Sequence, residues 1–336
     1  TKEENVDCLV CHDGSGTYSK SKSGMPNKSV NLRVVAGSVR RPARENCGIC
    51  HFSGGGGMGV KHGDLDESLI NANQELDFHM GKLNFQCIDC HTTHNHVIAG
   101  KLNTTYTEKT NAVRFNCENC HTEKPHKDQR LNKHTERVAC QTCHIPEFAR
   151  KLPTKMIWDW SKAGDSTRID SPHEYLKIKG EFQYEEGVVP SYAWFNGKMD
   201  RYIIGDKLDN ETEHNMNHPI GSRDDKNSKI WPFKVHHATQ PYDEINNIII
   251  PPLTSGEGGY WTKFNWSYAL EIGAKLNNLP YSGKFGFTKT KMYWPITHMV
   301  TTSKNALACV DCHSKEGRLN WEELGYKSDP VQGPRK

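Results

Sequence analysis

Alternating polarity is the clearest local pattern in the chain. From Glu181 to Ile204 apolar and polar residues alternate, and Gly187-Val188-Val189-Pro190 and Asn196-Gly197 interrupt the alternation. A period of two residues is typical of a half-buried strand, and Asn-Gly is a common hairpin turn. The pattern therefore predicts one or two β-hairpins in this stretch.

Three more stretches predict single elements. Ile248-Ile249-Ile250 stands before two prolines and predicts a short buried strand. We expect helices over residues 155–163 and 318–324. Most of the tryptophans fall between residues 151 and 296, where we expect them to pack the interior rather than to form a sugar-binding surface.

Composition makes a conventional core thin. Only 35% of the residues are hydrophobic, and glycine is plentiful. The 336 residues could form one large domain or two ordinary ones. In either case something besides apolar side chains must fill part of the interior.

All twelve cysteines fall into six pairs of one form, Cys-x-x-Cys, and histidine follows each pair at once. Two thiols at this spacing on a tight turn can each form a thioether to a haem vinyl group, and the next residue then directs its imidazole to the iron. The motifs predict six covalently bound haems c. The attachment residues are Cys8, Cys11, Cys47, Cys50, Cys87, Cys90, Cys117, Cys120, Cys140, Cys143, Cys309 and Cys312, and the iron ligands are His12, His51, His91, His121, His144 and His313.

Zinc sites and disulfide frameworks also use cysteines in pairs. Neither requires a histidine after every pair. Six repetitions of the complete motif therefore favour haem over both alternatives.

Twelve further histidines are available as second axial ligands. We expect His62, His79, His96, His126, His134 and His298 to take these positions, because five lie among the haem motifs and the last precedes the sixth motif. His94 competes closely with His96, and His236 is the strongest candidate outside the set. Iron with two imidazole ligands has no open position, which suits electron transfer and opposes substrate binding.

The motifs are unevenly distributed along the chain. We predict a five-haem region over residues 1–150, a haem-free region rich in tryptophan over 151–296, and a C-terminal segment, 297–336, whose sixth haem packs back on the haem core. The expected fold is mainly α with much irregular coil and a few short β-hairpins. In this multihaem cytochrome c scaffold the core is stacked haems, and short helices carry the motifs.

The glycine run Ser53–Gly57 is too flexible for a helix or strand interior. We expect it to let the backbone pass close to a porphyrin face. A phosphate-binding loop would need a following Lys-Ser or Lys-Thr, which this run lacks.

Charge and hydrophobicity exclude two classes of partner. The net charge of +3 comes from 43 basic and 40 acidic side chains with no long run of one sign, so we expect no nucleic-acid partner. No stretch approaches the roughly 18 apolar residues of a membrane span. Covalent haem attachment occurs outside the cytoplasm, so we expect a periplasmic, extracellular or cell-surface protein whose signal peptide has been removed.

Longer strings around the motifs resemble the octahaem tetrathionate reductase family of multihaem cytochromes over nearly the whole chain. The resemblance is carried by Asn5–His12, Cys47–Phe52 with the glycine run to Val60–Asp66, Pro125-His126, Leu131–His134, Val138–Pro146, Pro153–Trp160, Lys234–Asp243 and Trp294–Val300. It implies a mostly helical, loop-rich scaffold with packed haem pairs. The six histidines chosen above match histidine positions of that family.

Members of that family carry two further haems before the point at which this sequence begins. Their substrate-binding haem, which has a lysine ligand, belongs to that part. The resemblance therefore argues against reductase activity in this chain.

We predict an electron-transfer cytochrome that acts outside the cytoplasm rather than an enzyme. Its expected partners are redox proteins or further copies of itself, including copies in an oligomer, an extracellular filament or a nanowire. The alternative is a reductase of tetrathionate or of nitrogen or sulfur oxyanions at one open haem. Such an enzyme needs positive side chains near that iron, for which Lys61, Lys155, Arg201 and Lys234 are candidates.

Overall fold

A computed structural model of the chain describes residues 6–21, 23–53, 56–101, 104–105, 115–209 and 211–331. Helix and strand take nearly equal shares, 23% and 22%. The prediction of a mainly α fold is therefore wrong. Its physical cause is that each motif helix ends after one or two turns, whereas the haem-free region folds into a large sheet.

The described α-helices are α1 (Cys8–His12), α2 (Leu32–Gly37), α3 (Arg44–His51), α4 (Cys87–Cys90), α5 (Gln129–His134), α6 (Cys140–His144), α7 (Tyr260–Lys263), α8 (Trp266–Leu276) and α9 (Cys309–Cys312). Short 3-10 turns cover Glu67–Leu69, Cys117–Asn119, Trp160–Lys162 and Ser303–Asn305, and a π-helical turn covers Phe78–Lys82. The described strands are β1 (Thr93–His94), β2 (Val97–Ile98), β3 (Thr104–Thr105), β4 (Thr154–Asp159), β5 (Tyr175–Leu176), β6 (Gly180–Glu185), β7 (Ser191–Phe195), β8 (Lys198–Arg201), β9 (Glu213–Asn215), β10 (Asn217–Ile220), β11 (Lys229–Asp243), β12 (Ile248–Ile249) and β13 (Phe285–Pro295).

Every cysteine motif lies on a short helical turn, as the sequence predicts. Five turns are α-helical and the fourth motif forms a 3-10 turn. In three motifs the residue before the second cysteine caps its own turn, because its side chain accepts the backbone N–H of the residue before the first cysteine. These capping residues are Asp89, Asn119 and Asp311, with N···O distances of 2.7 Å.

Strand β11 is the centre of the main sheet. It pairs antiparallel with β13 from Phe233 opposite Pro295 to Asp243 opposite Phe285, and parallel with β4. The sheet order is β5-β6-β4-β11-β13-β9, and β7 and β12 also pair with β11. A smaller sheet has the order β10-β8-β3, and β1 pairs with β2.

The alternation over 181–204 does form strands, but these strands do not form hairpins with one another. β6 pairs with β4 and β5, β7 pairs with β11, and β8 pairs with β10 and β3. The alternation identifies these strands, but their partners lie outside this stretch of sequence. The predicted strand at Ile248–Ile250 is confirmed over its first two residues, which are buried as β12.

Both helices that we expected outside the motifs are wrong. Residues 155–163 form most of β4 and a 3-10 turn, since β6 offers a partner strand along this stretch. Residues 318–324 form turns, where Leu324 N–H donates to Asn320 O. The helix does not continue because Gly325 follows with φ of +79°.

Backbone contacts join the motif-rich part of the chain to the sheet. Thr142, inside the fifth motif, donates from Oγ1 to Ile230 O of β11 at 2.8 Å. Phe148 is fully buried and exchanges two backbone hydrogen bonds with Val188. The apolar core is divided into small clusters, including Ile145, Phe148, Ala149 and Ile296.

In the part of the chain that the structure describes, no helix combines the length and apolarity needed to cross a membrane.

Candidate metal centres

Five pairs of imidazole rings stand at nearly one spacing. Two metal–nitrogen bonds of about 2 Å, added to the distance from each nitrogen to its ring centre, place two imidazoles on one metal about 6 Å apart. The observed centroid distances are 6.3 Å for His12 and His96, 6.1 Å for His121 and His79, 6.2 Å for His91 and His298, 6.2 Å for His144 and His126, and 6.3 Å for His313 and His134. Each pair joins a motif histidine to one of the expected second ligands.

A tight hairpin presents His96. β1 and β2 pair His94 with Val97, so Asn95 and His96 form the two-residue turn, with φ of +49° and +62°. Positive φ at both turn positions normally favours asparagine and glycine, and a histidine there is strained. This turn places His96, rather than its competitor His94, against the ring of His12.

Backbone carbonyls orient three of the paired imidazoles. Nδ1 lies 2.9 Å from Arg40 O in His12, 2.9 Å from Ala99 O in His91 and 2.8 Å from Arg130 O in His134. A hydrogen bond from Nδ1 leaves Nε2 as the lone-pair donor for a metal and fixes the ring direction.

Buried carboxylates orient two other imidazoles. His313 Nδ1 lies 2.7 Å from Asp329 Oδ1, and Asp329 is only 8% exposed. His298 Nδ1 lies 3.3 Å from Asp64 Oδ2, which also accepts the backbone N–H of Thr297 and of His298. Carboxylate partners make an imidazole a stronger electron donor than carbonyl partners do.

Asp64 is buried, and its carboxylate accepts a hydrogen bond from Nδ1 of His298, whose side chain is 30% exposed. Burial opposes the charged form of each group, yet the hydrogen bond and the opposite charge outweigh it. The pKa of Asp64 falls to about 2, and the pKa of His298 rises above its ordinary value. For His91 and His144 burial prevails and lowers the pKa, so both imidazoles favour the neutral form that binds a metal.

The second motif differs from the other five. Within the described residues, His51 and His62 do not form a ring pair at the spacing of the other five. His62 instead packs edge-on against Trp294, with ring centroids 5.2 Å apart. His51 is exposed at the end of α3.

The cysteines of successive motifs lie close enough for their thiols to interact electrostatically. The neighbouring thiols are Cys11 and Cys50, Cys47 and Cys87, Cys90 and Cys120, Cys117 and Cys140, and Cys143 and Cys312. The motifs are thus neighbours in space in the same order as along the chain. In the internal motifs one cysteine faces the preceding motif and the other faces the following one.

The residues present fit haem. All twelve cysteines lie in the described residues and none forms a disulfide with another, so both thiols of each motif remain for thioethers. Trp321 stacks on His313 with centroids 5.1 Å apart, and the buried indole N–H groups of Trp321 and Trp294 have no partner among the described residues. Flat aromatic walls and free donors suit a porphyrin with polar substituents.

In the described part of the chain, none of the remaining histidines lies at this spacing from a motif histidine. His236 is half-buried on β11 and its Nε2 lacks a hydrogen-bond partner there. His237 Nδ1 lies 2.6 Å from Glu213. Sequence reasoning missed Asp64 and Asp329, since nothing in the spacing of either carboxylate relates it to a motif.

The four cations proposed for anion binding lie in different surroundings. Lys234 is fully buried and donates to Val60 O at 2.9 Å and to Thr154 Oγ1 at 2.6 Å. Lys155 is 4% exposed and lies over aromatic rings. Lys61 lies over Trp294, and Arg201 is exposed.

Comparison with known proteins gives two family matches and one solved structure. The family described as bacterial cytochrome c matches residues 155–316, and the family described as cytochrome c7 and related cytochrome c matches residues 72–145. The chain is similar to octaheme cytochrome c from Shewanella oneidensis, with 44% identity and a TM-score of 0.89 over 98% of this chain and 77% of that chain. No curated protein matches the chain.

Proposed function

Since this chain belongs to the multihaem c-type cytochromes, we propose that it holds six haems c and carries electrons outside the cytoplasm. The observation that carries this proposal is the spatial succession of the cysteine motifs. Each motif has the next one as its neighbour, from Cys11 beside Cys50 to Cys143 beside Cys312. Haems attached in this order would form one continuous row.

Haem iron supplies one-electron chemistry when it is bound. The protein's own part is to attach the group, to occupy both axial positions and to orient the ligands. Five proposed ligand pairs stand at the observed spacing: His12 with His96, His91 with His298, His121 with His79, His144 with His126, and His313 with His134. For the second motif we propose His51 with His62, which would have to leave Trp294 to meet the same iron. One imidazole on each side of a porphyrin would leave no position for a substrate.

The site of action that we propose is the periplasm or the cell surface, because haem c is attached outside the cytoplasm. Partners would be redox proteins or further copies of this chain, in an oligomer or filament. Within this sequence the first and last motifs are Cys8–His12 and Cys309–His313.

Haem stoichiometry tests this proposal. Intact mass should exceed the polypeptide mass by six haems, and a reductive titration should consume six electrons per chain. A variant with Cys309→Ala and Cys312→Ala should lose one haem and one electron together. Fewer than six haems in the unmodified, fully matured protein would contradict the proposal.

A reductase acting at one open iron is the second candidate, and the second motif favours it. His62 lies against Trp294 rather than at metal-bridging distance from His51 in the described residues. An iron on His51 without a sixth ligand could bind a nitrogen or sulfur oxyanion. Carbon monoxide binding to one reduced haem, lost on His51→Ala together with that haem, would support this candidate.

A further inference from the structure

A cavity of about 200 Å³ lies between the glycine run and the first strands of the main sheet. Its described lining includes Gly57, Lys155, His173, Lys179 and Tyr184. No acidic side chain is among those lining residues. A cavity of this size with two ammonium groups and no carboxylate has a local excess of positive charge.

Lys155 is the main source of that charge. It is 4% exposed, and its Nζ lies 3.6 Å from the ring centroid of Phe182, 5.3 Å from that of Trp158 and 5.4 Å from that of Tyr184. Among the described residues its ammonium group has no hydrogen-bond acceptor. Three aromatic faces stabilise the charge but accept none of its N–H bonds in a normal hydrogen bond.

Local strand geometry directs this side chain into the cavity. Lys155 on β4 faces Tyr184 on β6, and the strand register shifts between Lys155 and Ile157. Such a bulge redirects side chains and is common beside functional sites. Tyr184 and Phe182 are two residues apart, so they share the face that receives the lysine.

The neighbouring Lys234 is a buried lysine whose hydrogen bonds are made within the chain. Its ammonium group donates to Val60 O and Thr154 Oγ1 and joins the glycine-rich loop to β4. Lys155 is 4% exposed, lines the cavity and has no such acceptor in the described residues. The acceptors for its N–H groups therefore come from the contents of the cavity, and an anion offers the opposite charge as well, which water does not.

Gly56 and Gly57 provide the opposite wall; Gly54 and Gly55 of the glycine run lie outside the described residues. Gly56 and Gly57 have φ of +128° and +115°, and a Cβ on Gly57 would meet no described atom within 4 Å. We infer that this cavity binds a small oxyanion, held mainly by Lys155 with Lys179 beside it.

Titration calorimetry of the haem-loaded protein with sulfate tests this inference. Sulfate should bind the unmodified protein, and Lys155→Gln should weaken binding at least tenfold. Lys155→Arg should retain binding, because it keeps the charge and adds donors. Lys177→Gln is the matched control, because Lys177 also lies over an aromatic ring, that of Phe264, and does not line the cavity.

A carboxylate from a haem propionate could supply the same chemistry as a free oxyanion. In that case the unmodified protein would bind no sulfate, and one midpoint potential of Lys155→Gln would become pH-dependent because the carboxylate would lose its partner. That outcome would assign the anion to the cofactor. Absence of sulfate binding together with unchanged, pH-independent potentials in Lys155→Gln would overturn the inference.

Discussion

A histidine can hold iron in a defined direction only when a second group fixes its ring. In this protein the fixing groups differ among the proposed ligands, from the carbonyl of Arg40 behind His12 to the carboxylate of Asp329 behind His313. Because the fixing group differs from one histidine to the next, a substitution at one of these positions should affect the haem bound by that histidine and leave the others unchanged.

His96→Ala should open one axial position. The haem of the first motif would then change from low-spin to high-spin and bind carbon monoxide when reduced, because His96 is the imidazole opposite His12. Optical and electron paramagnetic resonance spectra measure this change. His94→Ala is the control and should leave all spectra unchanged; a high-spin haem in that variant instead would reverse the assignment.

Asp329→Asn should raise the midpoint potential of the haem on the sixth motif. A carboxylate behind His313 strengthens the imidazole as a donor and stabilises oxidised iron, and an amide does so less. We expect a shift on the order of tens of millivolts, where about 59 mV is a tenfold change in a one-electron equilibrium. Spectroelectrochemical titration measures it.

The control for this change is Asp224→Asn, which removes the same charge at an exposed position. It should leave every potential within experimental error. An equal shift in both variants would mean that net charge, rather than the hydrogen bond to His313, sets the potential.

Sulfate binding at the cavity should weaken as the pH rises through about 8. Burial lowers the pKa of Lys155 to about 8, so the ammonium form is present below that pH and is lost above it. The other titratable groups around it are Lys179, His173, Tyr184, Lys234 and His236. Burial raises the pKa of Tyr184 and lowers that of His236 to about 3, so both stay neutral near pH 8.

Lys155→Arg separates Lys155 from these neighbours. Arginine keeps its charge throughout this range, so the decline between pH 7 and pH 9 should become shallower in this variant. Lys234, whose pKa burial lowers to about 7, remains in both proteins. An unchanged pH profile in Lys155→Arg would show that another group controls binding.

Among the elements, the contact between the fifth motif and the sheet stabilises the folded chain. Phe148 is fully buried with Ile145 and Ile296. Phe148→Ala should lower the free energy of unfolding by about 3–5 kcal/mol, because it removes buried apolar surface and leaves a cavity. Denaturant unfolding measures this loss. Ile169→Ala, at a side chain that is 90% exposed, should change stability by less than about 0.5 kcal/mol.

The motif turns could be predicted from sequence because their geometry is local. Cys-x-x-Cys-His needs one helical turn, and residues such as Asp89 and Asp311 cap that turn within the motif. The sheet could not be predicted in the same way. β11 and β13 are joined by pairing between distant residues. The sequence predicts a helix where β4 forms, because the partner strand β6 follows only after a long connection.

The candidate metal centres could also be predicted from sequence only in part. Spacing identifies which residues can bind iron, but the partner of a given motif depends on tertiary placement. His298 forms a ring pair with His91 and a hydrogen bond with Asp64, although both residues lie far from it in the sequence. Only the three-dimensional arrangement relates these three residues.

At the scale of the whole molecule, the motifs form one row that follows the chain from Cys8–His12 to Cys309–His313. Five motifs lie close together in sequence, and the sixth returns to the neighbourhood of the fifth, where the thiols of Cys312 and Cys143 interact electrostatically. The large haem-free sheet lies between these two parts of the sequence. We propose that the sheet serves to bring the last motif back beside the fifth.

The central claim is that all six irons have two histidine ligands and serve electron transfer. Electron paramagnetic resonance of the oxidised protein, followed by carbon monoxide addition to the reduced protein, tests this claim most directly. The account predicts low-spin signals alone and no spectral change with the gas. A high-spin signal with carbon monoxide binding at one haem would contradict it and would favour a reductase with its open iron on His51.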